Sequence, residues 1–157
     1  MKKVQLFRVP LDGWYTVEQL SQFQSVPTGL CLLAKTTETK IIDGLHSSME
    51  EVTDKVDADL VGVTDNYSCH GNAMALLKAA KQKGAKTVVG GPNVNHLAPR
   101  ILINHPYVDY VVVGDGEEAF PMLASGASLE SIPNLVYRQG GEIRQNELRD
   151  APLTTIF

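Results

Sequence analysis

The chain has 157 residues, 43% apolar and 20% charged, with a formal charge of −4. That length suits one domain able to bury roughly two thirds of the surface its unfolded chain would expose, and the mild charge, with no block of one sign, argues against a nucleic-acid or membrane surface. No apolar run approaches the ~20 residues of a membrane helix, and Arg8 and Pro10 cut the N-terminal one below signal-peptide length. With only Cys31 and Cys69 present, the chain reads as a cytoplasmic protein with reduced thiols, whose partner is a small molecule or another protein.

In chain order, residues 4–9 predict a short strand, and P-L-D-G-W a loop at its carboxyl end. Two short helical stretches follow, one over residues 17–23 and one beginning near Gly29 and carrying Leu30, Leu32 and Leu33. Residues 40–43 predict a second strand. Ser47 or Ser48, followed by Glu50 and Glu51, starts a helix ending near Val56 and completes one β-α-β unit.

D-L-V-G-V-T, residues 59–64, is a third strand, apolar on both faces. A polar loop over 65–71 leads to an amphipathic helix over 72–83, stopped by Gly84. The cycle repeats with a strand over 87–89, a loop over 90–95, a helix around 97–104 and a strand over 108–113. The Gly114-Asp115-Gly116 corner then leads to a helix from about Glu117 to Leu123. Near-continuous Val/Leu strands separated by helices predict a doubly wound α/β fold, Rossmann-like or flavodoxin-like, with a parallel sheet of about five strands.

Two of these strands run into glycine corners, T-V-V-G-G-P-N over 87–93 and Y-V-V-V-G-D-G-E-E over 110–118. Glycine there lets a ligand approach bare backbone, and in open α/β sheets the carboxyl edge is where ligands sit. The tail differs in kind: residues 134–138 and 142–145 flank Q-G-G, a C-terminal β-hairpin signal with glycines where positive φ is needed. The last segment, A-P-L-T-T-I-F, reads either as a linker or as a terminal strand packed on the sheet.

The ordered motifs A-D-L-V-G-V-T, a helix ending in K-G-A, V-V-G-G-P and V-D-Y-V-V-V-G-D-G-E-E resemble the cobalamin-binding domain at the N-terminus of many radical S-adenosylmethionine enzymes. P-T-G-L-C-L-L-A, residues 27–34, is similar to that family's P-x-G-L-x-x-L-A helix, and N-L-V-Y-R-Q-G-G-E-I to its terminal hairpin. The resemblance spans nearly the whole chain. It implies a cobalamin-binding domain over residues 1–133, with a hairpin and linker over 134–157.

It also implies that the corrin lies over the carboxyl edge and the nucleotide tail descends between strands and helices. Thr64 and Ser68 then donate hydrogen bonds, Gly90 and Gly91 leave room for the dimethylbenzimidazole, and Asn93 bonds phosphate, ribose or a corrin amide. Gly114, Asp115, Gly116 and Glu117 match the family's G-E-G-E corner, with Asp115 replacing Glu. Leu11, Asp12, Gly13 and Trp14 from the first loop, Asp65, Asn66 and Tyr67 from the third, and Pro92 from the fourth complete the implied set. Tyr67 and Trp14 are either a floor for the corrin or residues packed at a loop base.

Many cobalamin domains carry D-x-H-x-x-G after the first strand, its histidine sitting under cobalt. Here that loop reads P-L-D-G-W-Y, which implies a cofactor bound with its own base detached and no histidine ligand from the protein, compatible with methyl transfer. Cys69 and His70 are adjacent and do not make a metal site, and no pair among His46, His96 and His105 has metal spacing. Asp43 either bonds a ribose or has a helix-capping or turn role with Gly44. The G-x-G over 114–116 follows the last strand of the sheet and lacks a third glycine, against a nicotinamide fingerprint.

A radical enzyme's iron–sulfur cluster takes a Cys-x3-Cys-x2-Cys run, which two cysteines cannot supply. The cluster and S-adenosylmethionine therefore belong to a radical S-adenosylmethionine domain outside this chain, in cis or in trans. Two other classes stay open, a flavin-binding or receiver-type flavodoxin-like domain and a cofactor-free docking module.

Overall fold

A computed structural model describes residues 2–13, 16–22 and 25–150. Trp14 and the segment 151–157 lie outside the described residues, so neither reading of that segment is tested. The strands are β1 (Val4–Arg8), β2 (Lys40–Asp43), β3 (Leu60–Thr64), β4 (Lys86–Gly90), β5 (Tyr110–Val112), β6 (Leu135–Gln139) and β7 (Glu142–Gln145). The helices are α1 (Val17–Ser21), α2 (Thr28–Thr37), α3 (Met49–Asp54), α4 (His70–Gln82), α5 (Ala98–Asn104) and α6 (Ala119–Ser125), with a 3₁₀ turn over Pro92–His96.

All seven strands form one sheet in the order β2-β1-β3-β4-β5-β6-β7. The first five run parallel, while β6 joins β5 antiparallel and β7 joins β6 antiparallel. The parallel α/β sheet with a C-terminal hairpin is the fold expected from the sequence. Gly140 (φ 60°) and Gly141 (φ 84°) make the hairpin turn, both in the left-handed region that such a two-residue turn demands.

Both faces of the sheet are covered, as continuous apolar strands require. On one face Phe7, Val61, Val63, Val89 and Val111 pack with Val52 of α3, Leu76 and Leu77 of α4 and Ile101 of α5. On the other Leu6, Leu60, Val88, Val112 and Tyr137 pack with Leu30 of α2 and Phe120 and Leu123 of α6. Each such buried side chain is worth roughly 1.5–3 kcal/mol.

The strand order reverses at β1, whose neighbours are β2 and β3, so a crevice opens beyond its carboxyl end. Helix α3 starts from Ser48 through a capping box: the Ser48 hydroxyl accepts from the Glu51 amide (3.1 Å), and the Glu51 carboxylate accepts from the Ser48 amide (2.8 Å). Helix α4 begins at His70, two residues before its expected start at Asn72. Its cap comes from far away: Asp12 Oδ2 accepts from the Gly71 amide (3.0 Å) and Oδ1 from the Asn72 amide (2.9 Å). Strand β5 is shorter than the apolar run over 108–113, because the Val108 amide turns back to the His105 carbonyl (2.9 Å).

Candidate functional site

Two clefts open at the carboxyl edge. The deeper one, about 290 Å³, lies between the sheet and helices α2 and α6. Its floor is Leu6, Gly62, Thr64, Val88, Gly90 and Val112, and its walls are Leu30 and Leu33 of α2, Phe120 of α6 and the corner Gly114-Asp115-Gly116-Glu117. The volume sits at the lower end of small-molecule pockets, and the mostly apolar lining with a few convergent polar groups is typical of them.

Two strand positions of the floor, Gly62 and Gly90, carry no side chain, and Gly91 follows directly. A Cβ at Gly90 would touch only the Val112 carbonyl oxygen, at 3.6 Å, and Val112 Cβ, at 3.9 Å, so a side chain there would fill the cleft without disturbing backbone. Gly62 is walled in, since its Cβ would come within 2.7 Å of Leu6 Cδ2. Gly91 differs from both. Its φ of 109° is left-handed, and a Cβ would lie 2.9 Å from the Asp65 nitrogen and nearer still to its carbonyl oxygen. The space expected at Gly91 for a ligand is therefore held by the Asp65 backbone, and Gly90 is the residue that leaves room.

The second cleft is broad and shallow, lined by Arg8, Leu11, Ser25, Leu45, Asn66, Tyr67, Ser68, Pro92 and Asn93. Tyr67 is 78% exposed. Arg8 is anchored by the Ser25 carbonyl (2.6 Å) and hydroxyl (2.8 Å) and by Asp43 (3.4 Å). Asp43 also accepts from the Leu45 amide (3.1 Å), so of its two readings the turn is the one its contacts describe.

Of the residues singled out from the sequence, Thr64, Gly90, Gly91, Gly114, Asp115, Gly116 and Glu117 line the deeper cleft, and Leu11, Asn66, Tyr67, Ser68, Pro92 and Asn93 the broad one. Asp12, Gly13 and Asp65 line neither. Asp12 is turned to α4, and its amide donates to the Ser68 carbonyl (2.7 Å), while Asn72 Nδ2 donates to the carbonyls of Pro10 (3.0 Å) and Leu11 (3.2 Å). Asp65 is fully buried; its Oδ2 meets His70 Nδ1 (2.8 Å) and accepts from Asn93 Nδ2 (3.1 Å), while Oδ1 has no partner.

His70 thus opens α4 paired to a buried carboxylate, its ring 6.1 Å edge-on from that of His105. Burial, reinforced by the neighbouring His70 and opposed by Asp65, holds the His105 pKa below its usual value. Burial likewise pushes the Cys69 thiol up, with Asp65 and Asp12 adding to it against the Asn66 amide hydrogen bond. No group of three or more metal-ligating side chains exists among the described residues.

Pro27, Thr28, Gly29, Leu30 and Leu33, read from the sequence as a short helix and a family motif but not as site residues, form a wall of the deeper cleft. The spacing of Leu30 and Leu33 on one side of that short helix was a signal, since an apolar helix face must pack on something. Gly62, inside an otherwise Val/Leu strand, was a second, because strand glycines mark close approach.

The model of the B12 binding domain family matches residues 26–124. The chain belongs to the B12 binding domain family. It is 33% identical over 138 residues to an uncharacterized methyltransferase of Pyrococcus horikoshii, PH0819, covering 78% of this chain and 30% of that protein. The fold is similar to the cobalamin- and 4Fe-4S-cluster-bound structure of the radical S-adenosylmethionine methyltransferase TsrM from Kitasatospora setae. The TM-score is 0.68 at 18% identity, over 94% of this chain and 29% of that one. This B12 binding domain thus spans about a third of the length of these relatives. No described helix is long and apolar enough to cross a membrane.

The clefts fit the group that the family binds. A flat aromatic base needs an apolar slot with a bare floor, which Gly90, Val88, Val112, Leu30 and Phe120 supply. A corrin needs a broad, open rim, which the second cleft supplies.

Proposed function

We propose that this domain binds cobalamin with its nucleotide arm in the deeper cleft and its corrin across the broad one, the lower base detached from cobalt. The domain then presents the cofactor, for methyl transfer, to a radical S-adenosylmethionine domain, in cis or in trans. The observation that carries this reading is the open slot between α2 and α6, floored by Gly90 at the end of β4.

Each part of the rim has a task on this reading. Leu30, Leu33, Val88, Val112 and Phe120 exclude water from the base, and Thr64 offers a hydroxyl at the carboxyl end of β3. Asn66, Ser68 and Asn93 offer polar groups to the corrin periphery or phosphate, and Arg8 a charge held in place by Ser25 and Asp43. Bound cobalamin would supply a cobalt able to accept and release a methyl group.

Protein mixed with hydroxocobalamin and desalted is expected to stay red and to keep the visible absorption of the corrin. Gly90→Val should lose that colour while changing stability by no more than about 1 kcal/mol, since Val suits a strand and its Cβ would meet backbone there only at the ordinary contact distance of 3.6 Å. A colourless wild-type protein overturns the reading. Retention by Gly90→Val equal to wild type overturns the placement of the base.

A further inference from the structure

The two ends of the Asn93 side-chain amide have different surroundings. Its Nδ2 donates to Oδ2 of Asp65 (3.1 Å), a carboxylate that is fully buried and lines neither cleft, and its backbone amide donates to the Asp65 carbonyl (3.4 Å). Turning the side-chain amide over would set its oxygen against a carboxylate oxygen, so the network fixes which end points inward. His70 Nδ1, at 2.8 Å from the same Oδ2, holds that carboxylate in turn.

The outward end is therefore Oδ1. No described group donates to it, and among the described residues the shielded side-chain oxygens without a partner belong to Asp65 and Glu117, so Asn93 Oδ1 is reached by solvent at the broad cleft that this residue lines. An amide oxygen carries lone pairs and no hydrogen, so it takes a donor and turns away an ionised phosphate or carboxylate. On the proposed cobalamin reading, on which this rests, the corrin with its fringe of primary amides lies across this cleft.

We propose that Asn93 is a specificity-determining residue that accepts a hydrogen bond from a peripheral primary amide of the corrin, and that buried Asp65, held by His70, is the positioning residue that keeps the Asn93 oxygen outward. Arg8 is the charged residue among those lining the cleft. A carboxylate on the corrin edge thus gains where it meets Arg8 and loses where it meets Asn93, two acceptors being unable to pair.

The test is the affinity for methylcobalamin and for a panel of its acids, each with one peripheral primary amide hydrolysed to a carboxylate. Wild type is expected to bind one of these acids at least about tenfold more weakly than methylcobalamin. Asn93→Ala should bind methylcobalamin more weakly than wild type does and lose that discrimination. Asp65→Leu, which leaves partly buried Asn93 and His70 able to turn to water, should lose it too. The discrimination is a ratio, so a general loosening of the fold leaves it standing while loss of the oriented oxygen removes it. Without any ligand, the Asn93 side-chain amide hydrogens should exchange more slowly than those of exposed Asn104. All acids bound by wild type as tightly as methylcobalamin, as they would be if a ribose hydroxyl were the donor, or a penalty undiminished in Asn93→Ala, overturns this inference and leaves the cobalamin reading standing. A penalty undiminished in Asp65→Leu, or Asn93 exchange in wild type as fast as that of Asn104, overturns the positioning role. No binding of methylcobalamin by wild type overturns the cobalamin reading and this inference together.

Discussion

Gly90 and Gly91 are neighbours with opposite duties. The first keeps a cleft open; the second lets the chain pass over the backbone of Asp65 with φ at 109°. Gly91→Ala therefore combines a disfavoured backbone with a contact that cannot relax. It should destabilise the fold by at least about 1–3 kcal/mol, measured as a lower urea midpoint in the absence of any ligand. Gly90→Val should not. The sequence marked both as places of close approach, yet which one faces the open cleft and which faces the chain itself depends on backbone from residue 65. The same holds for Asp65, read as a rim residue but fully buried against His70 and Asn93, because its partners lie 5 and 28 positions away.

Among the elements, the parallel strands were readable because each is a Val/Leu run buried on both faces, and their periodicity needs no distant information. Helix ends were readable where the cap is local, as with Ser48 and Glu51 at α3. The start of α4 was not, because its cap is Asp12, from the loop after β1. Asp12→Ala removes acceptors from two first-turn amides and should cost about 1 kcal/mol, up to about 2. Native-state hydrogen exchange at Gly71 and Asn72 should accelerate well beyond that in the middle of α4; unchanged exchange there would remove the capping role. Since the Asp12 carboxylate also ties the loop after β1 to the start of α4, the same variant should loosen that loop beside the broad cleft.

For the molecule as a whole, the site was legible as a region, the carboxyl edge of the sheet, since β-to-α glycine corners recur there. Its division into a slot and a rim was not, because the slot's second wall is α2, whose packing against α6 joins residues some 90 positions apart. Global stability carries the mark of His105. A histidine whose pKa is depressed on folding favours the neutral form in the native state, so its contribution is present above the unfolded value of about 6.5 and is lost as pH falls below it. The urea midpoint of wild type should fall between about pH 7.5 and pH 5.5 more steeply than that of His105→Gln. Equal slopes would assign the acid sensitivity elsewhere.

Asn134 sits in the left-handed region with φ at 63°, buried at the entry to β6. Its amide nitrogen donates to the Asp115 carbonyl (2.9 Å) and the Arg149 carbonyl (2.8 Å), and its oxygen accepts from the Arg149 amide (2.6 Å). One side chain thus rivets the glycine corner above the slot to the segment that follows β7. A tug on the polypeptide at residue 150 is transmitted straight to the lip beside Glu117, so whatever moves that exit also adjusts the mouth of the slot.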